Sequence, residues 1–316
     1  MTKAESGLPF DDIRNLINNL PEADQNAFEL TQAQLNELNR GDLGIMGDIC
    51  EWFAAWSGRS PSINRPLITL FAGTHKLENE VSDEASETYI LEQVTNIASG
   101  DAYINRLCQQ IDVGLKVFDL ALQVPVENIK TDDALDEKGC AGTIAFGMEA
   151  IAGGADLLCL AAIEKQPTLS ALAVISRLTA GRIDLSNLRS DDAELLANVM
   201  ANENEKQMEP LEVLRRIGGR ETSALCGAIL AARSQHIPVI LSGVSALASA
   251  YVLHALNPSA LDHCIYAAQP GNEALAKCVE DLGLKTILEN KQFNSELGNL
   301  ALAAGMAKSA TLLLAK

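Results

Sequence analysis

The sequence of 316 residues is short of basic charge, of aromatic rings and of the glycine and cysteine spacings that mark common cofactor and metal sites. Against 42 acidic side chains stand 24 basic ones, a net charge of −18 at neutral pH. The longest basic clusters are dipeptides such as Arg215-Arg216. They are too small to neutralise a run of phosphates, which excludes nucleic acid and disfavours an anionic membrane surface as partners. No two glycines are separated by a single residue, so a GxGxxG dinucleotide fingerprint is impossible. Walker A, GxSxG, HExxH and EF-hand patterns are missing as well. The seven cysteines are odd in number and never closer than fourteen positions apart. Without a CxxC pair or a compact Cys/His cluster they read as reduced, buried, small hydrophobes of a cytoplasmic protein, and nothing points to a metal or a cofactor. The first dozen residues lack the apolar core of a signal peptide, and no uninterrupted apolar stretch approaches the ~20 residues of a membrane span.

What is present is an apolar fraction of 47%, enough for one large core or two modest ones. The first sixty residues carry helical stripes: Ile13, Leu16, Ile17 and Leu20 behind Asp11-Asp12, then Phe28, Leu30, Leu35 and Leu38, then Ile49, Trp52, Phe53 and Trp56. From Pro66 the texture changes. Continuous apolar runs at residues 67–72, 115–120, 157–160, 239–241 and 264–267 are separated by helix-length segments. Runs of this kind predict buried parallel strands joined by helical crossovers, hence an α/β domain with a helical appendage from the N-terminus and the C-terminal tail at 298–314. The polar, acidic stretch 190–207 reads as a surface helix and loop.

In open parallel sheets ligands bind beyond the carboxyl ends of the strands. The segments to read for chemistry are therefore 73–76, 161–168, 242–245 and 268–272. His75 stands just past a strand end, where an imidazole is either a ligand contact or a solvated loop residue. His236, His254 and His263 read as structural. Ser245, followed by Ala246-Leu247, reads as a helix N-cap rather than a nucleophile. Asp119, in the middle of a predicted buried strand, would be costly there unless paired or near the sheet's exit, and reads as a buried hydrogen-bond anchor for a neighbouring loop in preference to a catalytic acid.

Several phrases taken in order resemble one family, the nicotinate-nucleotide–dimethylbenzimidazole phosphoribosyltransferases that make the lower-ligand nucleotide of cobalamin. They are Ser6-Gly7-Leu8-Pro9-Phe10-Asp11-Asp12, Ala54-Ala55-Trp56-Ser57-Gly58-Arg59, Asn64-Arg65-Pro66-Leu67, Phe71-Ala72-Gly73, Gly114-Leu115-Lys116-Val117-Phe118-Asp119, Ala145-Phe146-Gly147-Met148-Glu149-Ala150, Gly218-Gly219-Arg220-Glu221 and Asn257-Pro258-Ser259-Ala260-Leu261-Asp262-His263. The resemblance implies a doubly wound, mostly parallel α/β sheet at residues 63–290. It also implies a small helical domain from residues 1–62 with part of 290–316, and a homodimer with active sites near the subunit interface. The implied reaction moves phosphoribose from nicotinate mononucleotide to dimethylbenzimidazole without a metal. A glutamate near the C-terminus serves as general base and matches Glu296, which precedes Ala301-Leu302-Ala303. A carboxylate with its pKa lifted by burial suits that task. Glu296 also reads as a helix N-terminal glutamate favourable to the dipole.

The departures fall on the ligand phrases. The family's glycine-rich phosphate loop matches Ala161-Ala162-Ile163-Glu164-Lys165-Gln166-Pro167-Thr168-Leu169, where the glycines are gone and Glu164 brings negative charge. Only Thr168 and Lys165 remain to serve an anion there. The resemblance keeps His75 and Gly219 among substrate-binding residues. It also puts Glu92 where the family has a glutamine against the benzimidazole. Two readings follow: a divergent phosphoribosyltransferase that takes a nucleotide and a benzimidazole-like base, or a non-catalytic paralogue that binds a small ligand or a partner subunit.

Overall fold

The computed structural model describes residues 9–77, 86–165, 168–185, 193–200, 208–289 and 295–314. Six parallel strands, β1 (Pro66–Ala72), β2 (Gly114–Asp119), β3 (Leu157–Ala162), β4 (Val239–Leu241), β5 (Cys264–Ala268) and β6 (Thr286–Leu288), form one sheet in the order β2-β1-β3-β4-β5-β6. Five of them coincide with the apolar runs. The sixth lies at the sheet's edge, where Thr286 and Leu288 are half-buried and no continuous apolar run forms.

Helices cover both faces, so the sheet is doubly wound. Along β3 the side chains alternate: Leu158, Leu160 and Ala162 join one core cluster, while Leu157, Cys159 and Ala161 join the other. Both faces are buried, which is why the strand reads as a continuous apolar run. One cluster lies under the helices Glu137–Gly147, Leu169–Leu178, Arg220–Ser234 and Val244–Leu256. The other lies under Gly44–Ser57, Tyr103–Ile111 and Glu296–Thr311. Phe10, Ile13 and Ile17 of the helix Pro9–Asn18 belong to the first cluster, whereas Ile49, Cys50 and Phe53 belong to the second. The chain's first helices thus pack on opposite sides of the sheet.

Residues Glu296–Leu314 are long and apolar enough, by length and composition, to cross a membrane. Here Leu300, Ala301, Ala303, Ala304, Ala307 and Ala310 fill the second core cluster instead.

β1 pairs with β2 on one side and with β3 on the other. The chain steps outward in one direction first and in the opposite direction afterwards, so the loops leaving β1 and β3 diverge and open a crevice beyond their carboxyl ends. Asp119 ends β2 exposed, and its Oδ1 accepts from the Leu122 amide at 2.9 Å. It anchors the loop as expected, from a solvated position rather than from inside a buried strand.

Candidate active site

Four chain segments meet in this crevice. Beyond β1, His75 is 4% exposed, and its Nε2 lies 2.9 Å from Glu221 Oε1 in the first turn of Arg220–Ser234. Burial alone would raise the Glu221 pKa, but the charge and hydrogen bond of His75 outweigh it and hold the carboxyl below its ordinary value. Two glycines make room for this pair. A Cβ on Gly73 would stand 2.2 Å from Glu221 Oε2, and one on Gly219 would stand 2.4 Å from Oε1 and 2.5 Å from His75 Cε1. The solvated-loop reading of His75 is therefore overturned. The imidazole is a buried partner of Glu221, and Gly219 serves the same pair by leaving it space.

Beyond β3, Thr168 caps the helix Leu169–Leu178 by accepting from the Ala171 amide at 3.2 Å. Its own amide donates to Glu164 Oε2 at 3.4 Å. Beyond β4, the amide of Ser245 donates to Glu164 Oε1 at 3.1 Å. The cap of that helix is Gly243, with φ +91°, and not Ser245. The N-cap expectation for Ser245 is thereby corrected: the serine lies one residue inside the helix, and its amide carries the contact.

Gly243 also meets the start of the C-terminal helix. A Cβ there would lie 2.6 Å from Glu296 Oε2. Its amide donates to Tyr266 Oη at 3.0 Å, and the Ser242 hydroxyl donates to the Glu296 carbonyl at 2.9 Å. Ser295 caps the helix through the Gly298 amide at 3.2 Å, which fixes Glu296 as its first residue. Loss of water raises the Glu296 pKa to about 7. It raises Glu164 as well, where the neighbouring charge of Glu296 adds to the effect and the Ser245 hydrogen bond opposes it.

Glu296 stands between two cavities. The larger, about 450 Å³, is lined by Tyr89, Gln93, Tyr103, Glu164, Lys165 and Ser295 among others. The smaller, about 160 Å³, is lined by Ser242, Tyr266, Gln269, Asn272 and Asn299. Together they are of the size that small-molecule sites occupy. Of the residues singled out in the sequence, Glu296 and Lys165 face the larger cavity, and Thr168 reaches it through Glu164. His75 and Gly219 do not line it. Glu92 is exposed and does not line it; the adjacent Gln93 does. A helix turns by about 100° per residue, so a shift of one position in matching decides which side chain faces the ligand. Sequence reasoning missed Tyr89 and Tyr103 altogether. Glu221 was visible only as the last residue of Gly218-Gly219-Arg220-Glu221, whose glycines mark a close approach without saying to what. Gln166 and Pro167 of the loop, and most of 190–207, lie outside the described residues.

A phosphoribosyltransferase family model matches residues 20–316. A protein from Sinorhizobium named nicotinate-nucleotide–dimethylbenzimidazole phosphoribosyltransferase is 41% identical, with 96% of this chain and 94% of the relative covered. One of the same name from Brucella anthropi is 42% identical, with 97% and 94% covered. The chain belongs to this phosphoribosyltransferase family. A solved structure of the Thermus thermophilus phosphoribosyltransferase of that name superposes with a TM-score of 0.81, at 22% identity and over 92% of this chain and 96% of that one. At that identity the likeness bears on the fold, and it agrees with the six-stranded doubly wound sheet. At the carboxyl ends of β3, β4 and β5 the phosphoribosyltransferase sets a partly buried carboxyl, Glu296, between two cavities.

Proposed function

We propose that this phosphoribosyltransferase transfers phosphoribose from nicotinate mononucleotide to dimethylbenzimidazole and releases nicotinate, the reaction its relatives are named for. The observation that carries the reading is the position of Glu296: a carboxyl with a pKa near the working pH, shared by two adjoining cavities that have room for two reactants. The bare ring nitrogen of dimethylbenzimidazole attacks the anomeric carbon of the donor. The bond from that carbon to the nicotinate nitrogen breaks, and its electron pair leaves with nicotinate. The benzimidazole's other nitrogen, made acidic by the new bond, gives its proton to Glu296. Attack opposite the leaving group inverts the anomeric carbon and yields α-ribazole phosphate. A base with its pKa near 7 is ionised often enough to accept the proton and basic enough to want it.

Lys165 and Thr168, at the exit of β3, are the donor-phosphate side of the site. Tyr89, Tyr103 and Gln93 offer flat and polar surface to the aromatic acceptor. His75, Glu221 and Gly219 position the exits of β1 and β3. A cytoplasmic homodimer is part of this reading. The non-catalytic alternative gains no support from relatives that share nearly the whole chain and carry the enzyme's name.

The test is nicotinate release from nicotinate mononucleotide and dimethylbenzimidazole by the full chain and by Glu296→Gln. Removing a general base lowers a rate by about 10²- to 10⁴-fold. A loss in that range with donor binding retained supports the assignment, and a variant as fast as wild type overturns it.

A further inference from the structure

The exits of β3 and β4 each lead into the N-terminus of a helix, Leu169–Leu178 and Val244–Leu256, and the two N-termini converge on one carboxyl. The Thr168 and Ser245 amides both donate to Glu164, to its two different oxygens, at 3.4 and 3.1 Å. Helix N-terminal amides at the carboxyl ends of parallel strands attract anions, because unpaired N–H groups and the positive end of the dipole both face the ligand. In this molecule the chain seats one of its own carboxyls there. Glu164 also lines the larger cavity beside Lys165 and Glu296, so the amides it holds open onto the reacting space. A donor phosphate that enters at the β3 exit and a carboxyl already seated there compete for the same two hydrogens.

We propose that Glu164 is a specificity-determining residue: by occupying the Thr168 and Ser245 amides it weakens the hold on a donor's phosphate and lets the site accept a nucleoside donor nearly as readily as a nucleotide. The inference rests on the transfer reaction proposed above and adds which ribosyl donors the site distinguishes. A phosphate that displaces Glu164 gains two charge-assisted hydrogen bonds, but Glu164 loses its own, and the freed carboxyl stays beside a dianion. The net gain from the phosphate is small. With Glu164 replaced, the gain is kept in full.

The experiment is calorimetric titration of the full chain, wild type, Glu164→Ala and Glu164→Gln, with nicotinate mononucleotide and with nicotinate riboside. The readout is the ratio of the two dissociation constants. A charge-assisted hydrogen bond is worth about 1.5–3 kcal/mol, so the preference for the nucleotide should rise by about tenfold or more in Glu164→Ala. It should rise less in Glu164→Gln, which keeps an acceptor for the amides, and nicotinate riboside should bind all three proteins alike. Circular dichroism confirms that the variants are folded, and Glu164→Gln retains the shape of the native side chain. A ratio unchanged by either substitution overturns the inference and leaves the transfer reaction standing. Binding of neither compound by any of the three proteins overturns both.

Discussion

Glu164 and Glu296 are two carboxyls in partly dewatered surroundings, and their protons tie stability to pH. A carboxyl whose pKa is raised on folding binds protons more tightly in the native chain than in the unfolded one. Its contribution is complete below the unfolded value of about 4.3 and is lost as pH rises through the raised folded value. Glu221 runs the other way: its pKa is lowered, so its contribution is present above the unfolded value and lost as pH falls through the folded one. Thermal melts of wild type and Glu164→Gln at pH 5 and pH 8 test the first statement. Glu164→Gln should gain in midpoint relative to wild type at pH 8 over pH 5; a difference independent of pH contradicts it. Replacing His75 by alanine strands a buried carboxylate and should cost about 3–5 kcal/mol by urea denaturation, far more than the loss of a solvated histidine. What the sequence left open at this scale is orientation. It places His75 past a strand end but cannot tell an imidazole facing a ligand from one facing Glu221, because the partner lies 146 residues away.

At the scale of elements, five strands and the long alanine-rich helices were legible, since buried parallel strands announce themselves as apolar runs between helix-length segments. β6 was not: unlike the equally short but fully buried β4, it has two half-buried end residues, one of them Thr286, so no apolar run marks it. Helix contact was legible only in part. Gly147 and Gly227 let the helices Glu137–Gly147 and Arg220–Ser234 touch backbone to backbone; a Cβ on Gly227 would stand 1.8 Å from the Ile144 carbonyl oxygen, and one on Gly147 would stand 1.9 Å from that of Ala224. Gly227→Ala, a substitution that raises helix propensity on an isolated helix, should here destabilise the fold by about 1–3 kcal/mol or more, because the helices must separate. Denaturant titration checks this, and a neutral or stabilising result would show that the helices can part without cost. Gly243→Ala combines a backbone strain at φ +91° with a clash against Glu296, so it should lower both stability and transfer rate.

For the molecule as a whole, the net charge of −18 first reads as a statement about excluded partners. The fold gives part of it an address: Glu164, Glu221 and Glu296 all stand at the carboxyl end of the sheet, where desolvation and a histidine decide which of them are ionised. All seven cysteines are buried and free, and burial raises the thiols of Cys50, Cys108 and Cys278 to about 11 and the other four further. A thiol-labelling titration at pH 8 should therefore find little reaction in the native protein and all seven groups in denaturant; prompt native labelling would contradict the packing. The family was legible because core phrases persist in order along the chain. The site was less so, since its residues come from three separate strand exits and the start of the C-terminal helix, and its loop, residues 161–169, has no glycine. The most direct measurement is proton magnetic resonance of a mixture of the full chain, nicotinate mononucleotide and dimethylbenzimidazole. One nicotinate should appear for each α-ribazole phosphate formed, with inversion at the anomeric carbon, and no release of nicotinate above a protein-free control would contradict the account.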